Sequence, residues 1–219
     1  MLGSPHPRPP HPGWYFLAMM VTKNEFAAAR RAARRARCRE SYRRGLRPFA
    51  VAAWSITKDH NVGSLVRTAH ATAATEVLLV GDRDWNVPAA MTSDLYTDVT
   101  FLSDTSAFLG HLKTRGWNLV AVELDPRATP LFEARYPARP CFLLGAERGG
   151  IPPNLLDEAQ LIVQIPQWGL VPSLNVAVAG SIVVYDYLSK LHGEGRLDRP
   201  RGGLEPLPDD GERFEPGPA

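Results

Sequence analysis

The feature that most constrains this chain is a set of short apolar runs that do not alternate with polar residues. After Pro48 come Phe49-Ala-Val-Ala-Ala-Trp54, Glu76-Val-Leu-Leu-Val80, Trp117-Asn-Leu-Val-Ala-Val-Glu123, Pro140-Cys-Phe-Leu-Leu144 and Leu161-Ile-Val-Gln-Ile165. Segments with helical spacing separate most of them, at 62–74, 106–115, 153–158 and 175–191. A strand with one wet face alternates apolar and polar residues. Strands apolar throughout must be covered on both faces, which is the condition of a parallel sheet between two layers of helices. With a further short strand at 98–102, the pattern predicts an α/β fold of five or six parallel strands with flanking helices.

The 219 residues divide unevenly around this body. Residues 1–21, with Pro5, Pro7, Pro9, Pro10 and Pro12, read as a flexible leader, and 22–47 as a basic helical extension. Residues 48–192 form the α/β domain, and 193–219, rich in proline, glycine and acid, read as a flexible tail. The extension concentrates charge that the net value of +2 hides: Arg30, Arg31, Arg34, Arg35, Arg37, Arg39, Arg43 and Arg44 against Glu25 and Glu40. Its alanines and arginines favour a helix that Gly45 and Pro48 stop. A helix with so weak an apolar face is solvated or bound to something negative. Met19 and Met20 leave an internal start open.

Other classes are excluded by composition. With 44% hydrophobic and 22% charged residues the chain matches soluble globular domains. No run reaches the roughly 18 to 20 apolar residues that span a bilayer. The apolar piece Trp14-Tyr-Phe-Leu-Ala-Met-Met-Val21 follows histidines and prolines and lacks a cleavage site, so a cytoplasmic protein is expected. Cys38 and Cys141 have neither disulfide nor zinc-ligand spacing, and no metal is expected.

Three polar segments stand at the ends of the apolar runs: Asn61-Val-Gly63-Ser-Leu-Val-Arg67, Gly145-Ala-Glu147-Arg-Gly-Gly150, and Ile165-Pro166-Gln167 continuing to Ser173-Leu174-Asn175-Val. The glycine-rich one fits neither the dinucleotide nor the phosphate-loop pattern. Together, in this order and at these separations, the segments closely resemble the three motifs of the SpoU, or TrmH-like, branch of the SPOUT methyltransferases, over roughly residues 49–191.

That resemblance implies a parallel α/β sheet whose C-terminal segment is threaded into a trefoil knot, a homodimer packed through the knots, and S-adenosylmethionine as cofactor. It places the cofactor between Leu144-Gly145, Ile165-Pro166-Gln167 and Ser173-Leu174-Asn175, held chiefly by backbone groups. It implies methylation of a ribose 2′-hydroxyl in structured RNA, and because no larger RNA-binding domain is recognisable upstream, a compact tRNA is favoured over rRNA. The hydroxyl is a poor nucleophile until its proton is drawn away. Arg67 is the residue the resemblance assigns to this step, and because an arginine does not give up its proton, the role is positioning the target, with an RNA phosphate sharing the proton. Asn61, Glu147, Ser173 and Asn175 complete the polar frame, each with a duller alternative: Asn61 with Gly63 as a helix start, Glu147 as an ion-pair partner, Ser173 and Asn175 as caps of the last helix. His60 and His70 read as satisfied or exposed histidines, Trp168 and Tyr187 as core or dimer contacts.

Arg30, Arg31, Arg34, Arg35 and Arg37 are the candidate RNA-binding residues. An RNA-binding protein without activity and a base-methylating enzyme are the other readings. The full polar set argues against the first, and the Ser-Leu-Asn-Val motif argues for ribose. Two departures from the family pattern stand out: Thr72-Ala73-Ala74 where relatives commonly have a Phe-Gly pair, and Ala177 for a common serine.

Overall fold

The computed structural model describes residues 12–56, 58–81, 85–146, 149–170 and 173–197, with side chains described at all of these except 12–24, 26 and 59. The chain divides into two units after Ser41. The first contains nearly all of helix α1 (Pro12–Arg43), which starts twelve residues earlier than the helix formers after Asn24 suggest. A proline suits that start, because the first-turn N–H it lacks has no intrahelical acceptor. Arg30, Arg31, Arg34, Arg35 and Arg37 are all exposed. At about 100° per residue they share an arc of roughly 160°, opposite Ala28, Ala29, Ala32, Ala33 and Ala36.

In the second unit the chain forms β1 (Arg47–Trp54), α2 (Asp59–Ala71), β2 (Ala74–Val80), β3 (Val99–Leu102), α3 (Thr105–Arg115), β4 (Asn118–Val122), β5 (Thr129–Pro130), β6 (Pro140–Leu144), α4 (Pro153–Asp157), β7 (Leu161–Gln164) and α5 (Val176–Gly193). The strands make one sheet in the order 3-2-1-6-4-7-5, every pairing parallel. Seven strands replace the expected five or six. The extra one, Thr129–Pro130, has no apolar run and joins the sheet only by pairing with β7.

The non-alternating strands are buried on both faces, as their composition requires. Val51, Ala53, Val77, Leu79, Val120, Phe142, Leu144 and Val163 face one core with Val62, Leu65, Val66 and Ala69 of α2 and Val183, Val184 and Tyr187 of α5. Their neighbours Ala50, Ala52, Leu78, Val80, Leu119, Ala121, Cys141, Leu143 and Ile162 face the other, with Phe108 and Leu112 of α3 and Leu155 and Leu156 of α4. Tyr187 is a core residue, its ring 5.5 Å from Phe142 and 5.6 Å from Phe49. Gly180 lets α5 come close: a Cβ there would lie 2.5 Å from Leu144 Cδ1 and 2.6 Å from Leu65 Cδ2. This packing fixes the N-terminus of α5 beside that of α2.

Candidate active site

In open parallel sheets a ligand sits beyond the carboxyl ends of the strands, where the strand order reverses. Here β1, β2 and β3 progress outward to one side, while β6, β4 and β7 lie on the other. All three polar segments emerge at carboxyl ends around this reversal, after β1, β6 and β7.

Asn61 and Asn175 meet there. The N-cap of α5 is Asn175, whose Oδ1 accepts the amides of Ala177 at 2.9 Å and Val178 at 3.2 Å. With the oxygen committed, its Nδ2 is the donor, and it donates to Asn61 Oδ1 at 3.0 Å. Capping and frame-building are thus one role for Asn175. Asn61 does not start its helix: the cap of α2 is Lys58, without a side-chain cap bond, and Asn61 lies inside the first turn, 1% exposed. The apolar period could not register that polar first turn. Thr68 and Ser181 bond at 2.8 Å and tie the two helices again further along.

Arg67 lies nearly two turns beyond Asn61 on α2, exposed and with no hydrogen-bond or ion-pair partner among the described residues. Its helix is wedged by Gly63, where a Cβ would lie 2.5 Å from Ala89 Cβ. His60 is exposed. His70 is half-buried between Tyr42 and Tyr96, with ring centroids at 4.6 and 5.7 Å, and burial lowers its pKa. Both histidines keep the duller role read from sequence.

After β6 the chain doubles back on itself. Gly150 N–H donates to the Ala146 carbonyl at 3.2 Å, and a Cβ on Gly145 would lie 2.6 Å from the Gly150 carbonyl carbon. Gly149 and Gly150 have φ of +94° and +62°, which glycine adopts without strain. Glu147 lies outside the described residues. Sequence reasoning missed Glu123, which ends its apolar run. From the carboxyl end of β4, between β6 and β7, its carboxylate accepts the amides of Leu124 at 2.9 Å and Ile151 at 3.0 Å. An acidic residue closing an apolar strand was the one available signal.

An open cleft at the end of β7 is lined by Leu124, Gln164, Ile165, Pro166, Gln167 and Gly169. No backbone hydrogen bond among the described residues uses the main chain of Ile165 or Gln167. Walls that combine the apolar Leu124, Ile165 and Pro166 with Gln164 and Gln167, and backbone donors and acceptors left unspent, suit a flat heteroaromatic ring with a polar edge, so the residues present fit the adenosine of the implied cofactor. Leu144 is buried under Gly180, so its side chain is core and only its backbone is available. Ser173 and Leu174 are exposed. Trp168, 85% exposed, is no core residue. Arg30 to Arg37 belong to the other unit. Among the described residues no group of histidine, cysteine and carboxylate side chains could hold a metal, and no helix is long and apolar enough to cross a membrane.

Residues 48–185 match the SpoU rRNA methylase family. A tRNA (guanosine(18)-2′-O)-methyltransferase of Escherichia coli is 34% identical over 134 residues, covering 60% of this chain and 58% of that protein. Its namesake from Thermus thermophilus is 30% identical over 173 residues, 77% of this chain and 89% of that one. Among solved structures, the AdoMet-bound rRNA methyltransferase from Sinorhizobium meliloti superposes with a TM-score of 0.62 at 28% identity, covering 67% of this chain and 57% of that one. The chain therefore spans little more than half the length of the Escherichia coli relative.

Proposed function

Because this chain belongs to the SpoU rRNA methylase family, we propose that it transfers a methyl group from S-adenosylmethionine to a ribose 2′-hydroxyl of structured RNA, tRNA by preference. The observation that carries the reading is the hydrogen bond that joins Asn61 to Asn175 at the carboxyl ends of the sheet, with Arg67 exposed on the same helix. Two motifs 114 residues apart are thereby built into one polar frame. The preference for tRNA draws on the relatives from Escherichia coli and Thermus thermophilus.

Gly145, Ile165, Gln167, Ser173 and Leu174 would hold the cofactor, mainly through backbone groups, with Leu144 supporting the first loop from the core. Bound there, S-adenosylmethionine supplies an activated methyl group on a sulfonium. The remaining work, alignment and removal of the hydroxyl proton, falls to the protein and the RNA. Arg67, exposed and uncommitted among the described residues, grips the phosphate beside the target ribose and sets the hydroxyl in line, while that phosphate shares the proton. The Asn61 and Asn175 amides fix the helix ends from which Arg67 and the cofactor turn project. Glu147 and Ser173 complete the polar frame.

Two assemblies belong to the same proposal. The chain returns from β7 to pack α5 on α2 and β6, in keeping with a trefoil knot; tracing 165–176 in an experimental structure tests the threading. Leu174, Val178 and Tyr185, exposed on or beside α5, together with Trp168 and Leu170, suit a homodimer interface. Light scattering should then give twice the 24.1 kDa chain mass. The arginine face of α1 supplies sequence-independent affinity for RNA.

The test is methyl transfer from labelled S-adenosylmethionine to tRNA transcripts, followed by alkaline hydrolysis. A ribose methyl leaves a resistant dinucleotide, and a base methyl does not. Arg67→Ala should lower turnover by at least about a hundredfold, in the range expected for a group that aligns and activates a nucleophile, while cofactor binding survives. Retained turnover would remove Arg67 from the proposal.

A further inference from the structure

The proposed cofactor bed is built from loops after β6 and β7, yet these strands are not neighbours: β4 lies between them. Its terminal carboxylate reaches both sides. Glu123 Oε1 accepts the N–H of Leu124, whose residue walls the cleft beside Ile165 and Pro166. Oε2 accepts the N–H of Ile151, where the glycine-rich loop after β6 ends. Both partners are backbone amides, and among the described residues no cation pairs with this half-buried acid.

The surroundings are shaped to admit it. A Cβ on Gly150 would lie 2.5 Å from Glu123 Oε2, so a side chain at 150 would expel the carboxylate. Gly150 in turn packs under Gly145, the first residue of the loop. A continuous set of contacts therefore runs from the end of β6 through Gly145 and Gly150 to Glu123, and on to Leu124 at the cleft.

We infer that Glu123 is a positioning residue that holds the glycine-rich loop and the cleft wall in the register needed to bind S-adenosylmethionine. The inference rests on the proposed cofactor. The requirement is for two acceptor oxygens on one rigid group. Glutamine has the right shape but only one acceptor, and its NH₂ would confront one of the two amides. Either the partly buried Ile151 amide or the exposed Leu124 amide then loses its partner, and the loss costs most at Ile151.

The experiment is calorimetric titration of the full-length protein with S-adenosylmethionine, wild type against Glu123→Gln, with hydrogen exchange followed at the Leu124 and Ile151 amides in both. The variant should keep its melting temperature within a few degrees, exchange faster at one or both of these amides, and bind about tenfold more weakly, as expected when one charge-assisted hydrogen bond is removed. Gly150→Ala, which pushes on the same carboxylate from the other side, should also weaken binding. The double variant should lose less than the product of the two single effects, because both break one contact. Wild-type affinity in Glu123→Gln, or independent effects in the double variant, would overturn the assignment. Absence of binding by the wild type would instead overturn the cofactor reading on which it stands.

Discussion

Ala73 closes the turn after α2 with φ of +57°, a left-handed conformation that crowds its Cβ. A β-carbon there costs roughly 1 to 2 kcal/mol, which glycine avoids. The strained residue lies in the Thr72-Ala73-Ala74 segment, one of the two departures from the family pattern. The departure is therefore a strain the chain retains, with no bearing on the site's chemistry. Ala73→Gly should gain about 1 kcal/mol, offset in part by the freedom glycine adds to the unfolded chain, and raise the melting temperature by about 2 to 4 °C for a domain of this size. A melting temperature unchanged or lowered in differential scanning calorimetry would show that the turn is already relaxed. Other residues were legible only in part. The motif located Asn175, but that its amide caps α5 and grips Asn61 together depends on two helix ends meeting in space.

Helix α2 carries the exposed Arg67 on a frame whose far end is set by His70. That ring lies between Tyr42 and Tyr96, its Nδ1 is 3.4 Å from Thr97 Oγ1, and the Tyr42 hydroxyl donates to its carbonyl at 3.0 Å. Burial lowers the His70 pKa below its ordinary 6.5. The neutral form is therefore the one the fold prefers. Above pH 6.5 the ring is neutral in both states and the packing contributes in full. As the pH falls, the unfolded chain takes up the proton first, and stability is lost until the folded ring protonates at its lower value. Unfolding midpoints between about pH 7.5 and 5 should fall less steeply in His70→Phe, which keeps an aromatic ring and cannot titrate. Parallel slopes for variant and wild type would dismiss His70 as the source. The element pattern foresaw α2 but not this end of it, because two of the rings belong to segments remote in sequence. The same holds for Glu76, read as the first residue of a strand. It is a buried acceptor for Trp117 Nε1 at 2.6 Å, His111 Nε2 at 3.2 Å and Arg115 Nε at 3.3 Å, and it ties α3 to β2.

At the scale of the whole chain, the sheet was legible because burial on both faces leaves a mark on each strand separately. The strand order was not, since it depends on which strands lie side by side. Glu123 escaped notice for that reason: its place between β6 and β7 exists only in the order 3-2-1-6-4-7-5. The division into a basic helix and an α/β unit bears directly on how RNA would be held. An arginine that neutralises a phosphate releases condensed counterions, and removing one such arginine lowers the slope of log K against log salt by about 0.7 to 0.9. Replacing Arg30, Arg31, Arg34, Arg35 and Arg37 with glutamine removes charge from one arc of α1 while keeping strong helix formers. If that arc lies along the RNA backbone, filter-binding titrations of tRNA should show weaker binding and a slope shallower by several phosphates' worth. Methyl transfer at low salt and saturating RNA should persist, because Arg67 and the Asn61–Asn175 frame are untouched. A slope equal to that of the wild type would mean that the arginine arc faces solvent in the complex and that the α/β unit binds RNA by itself.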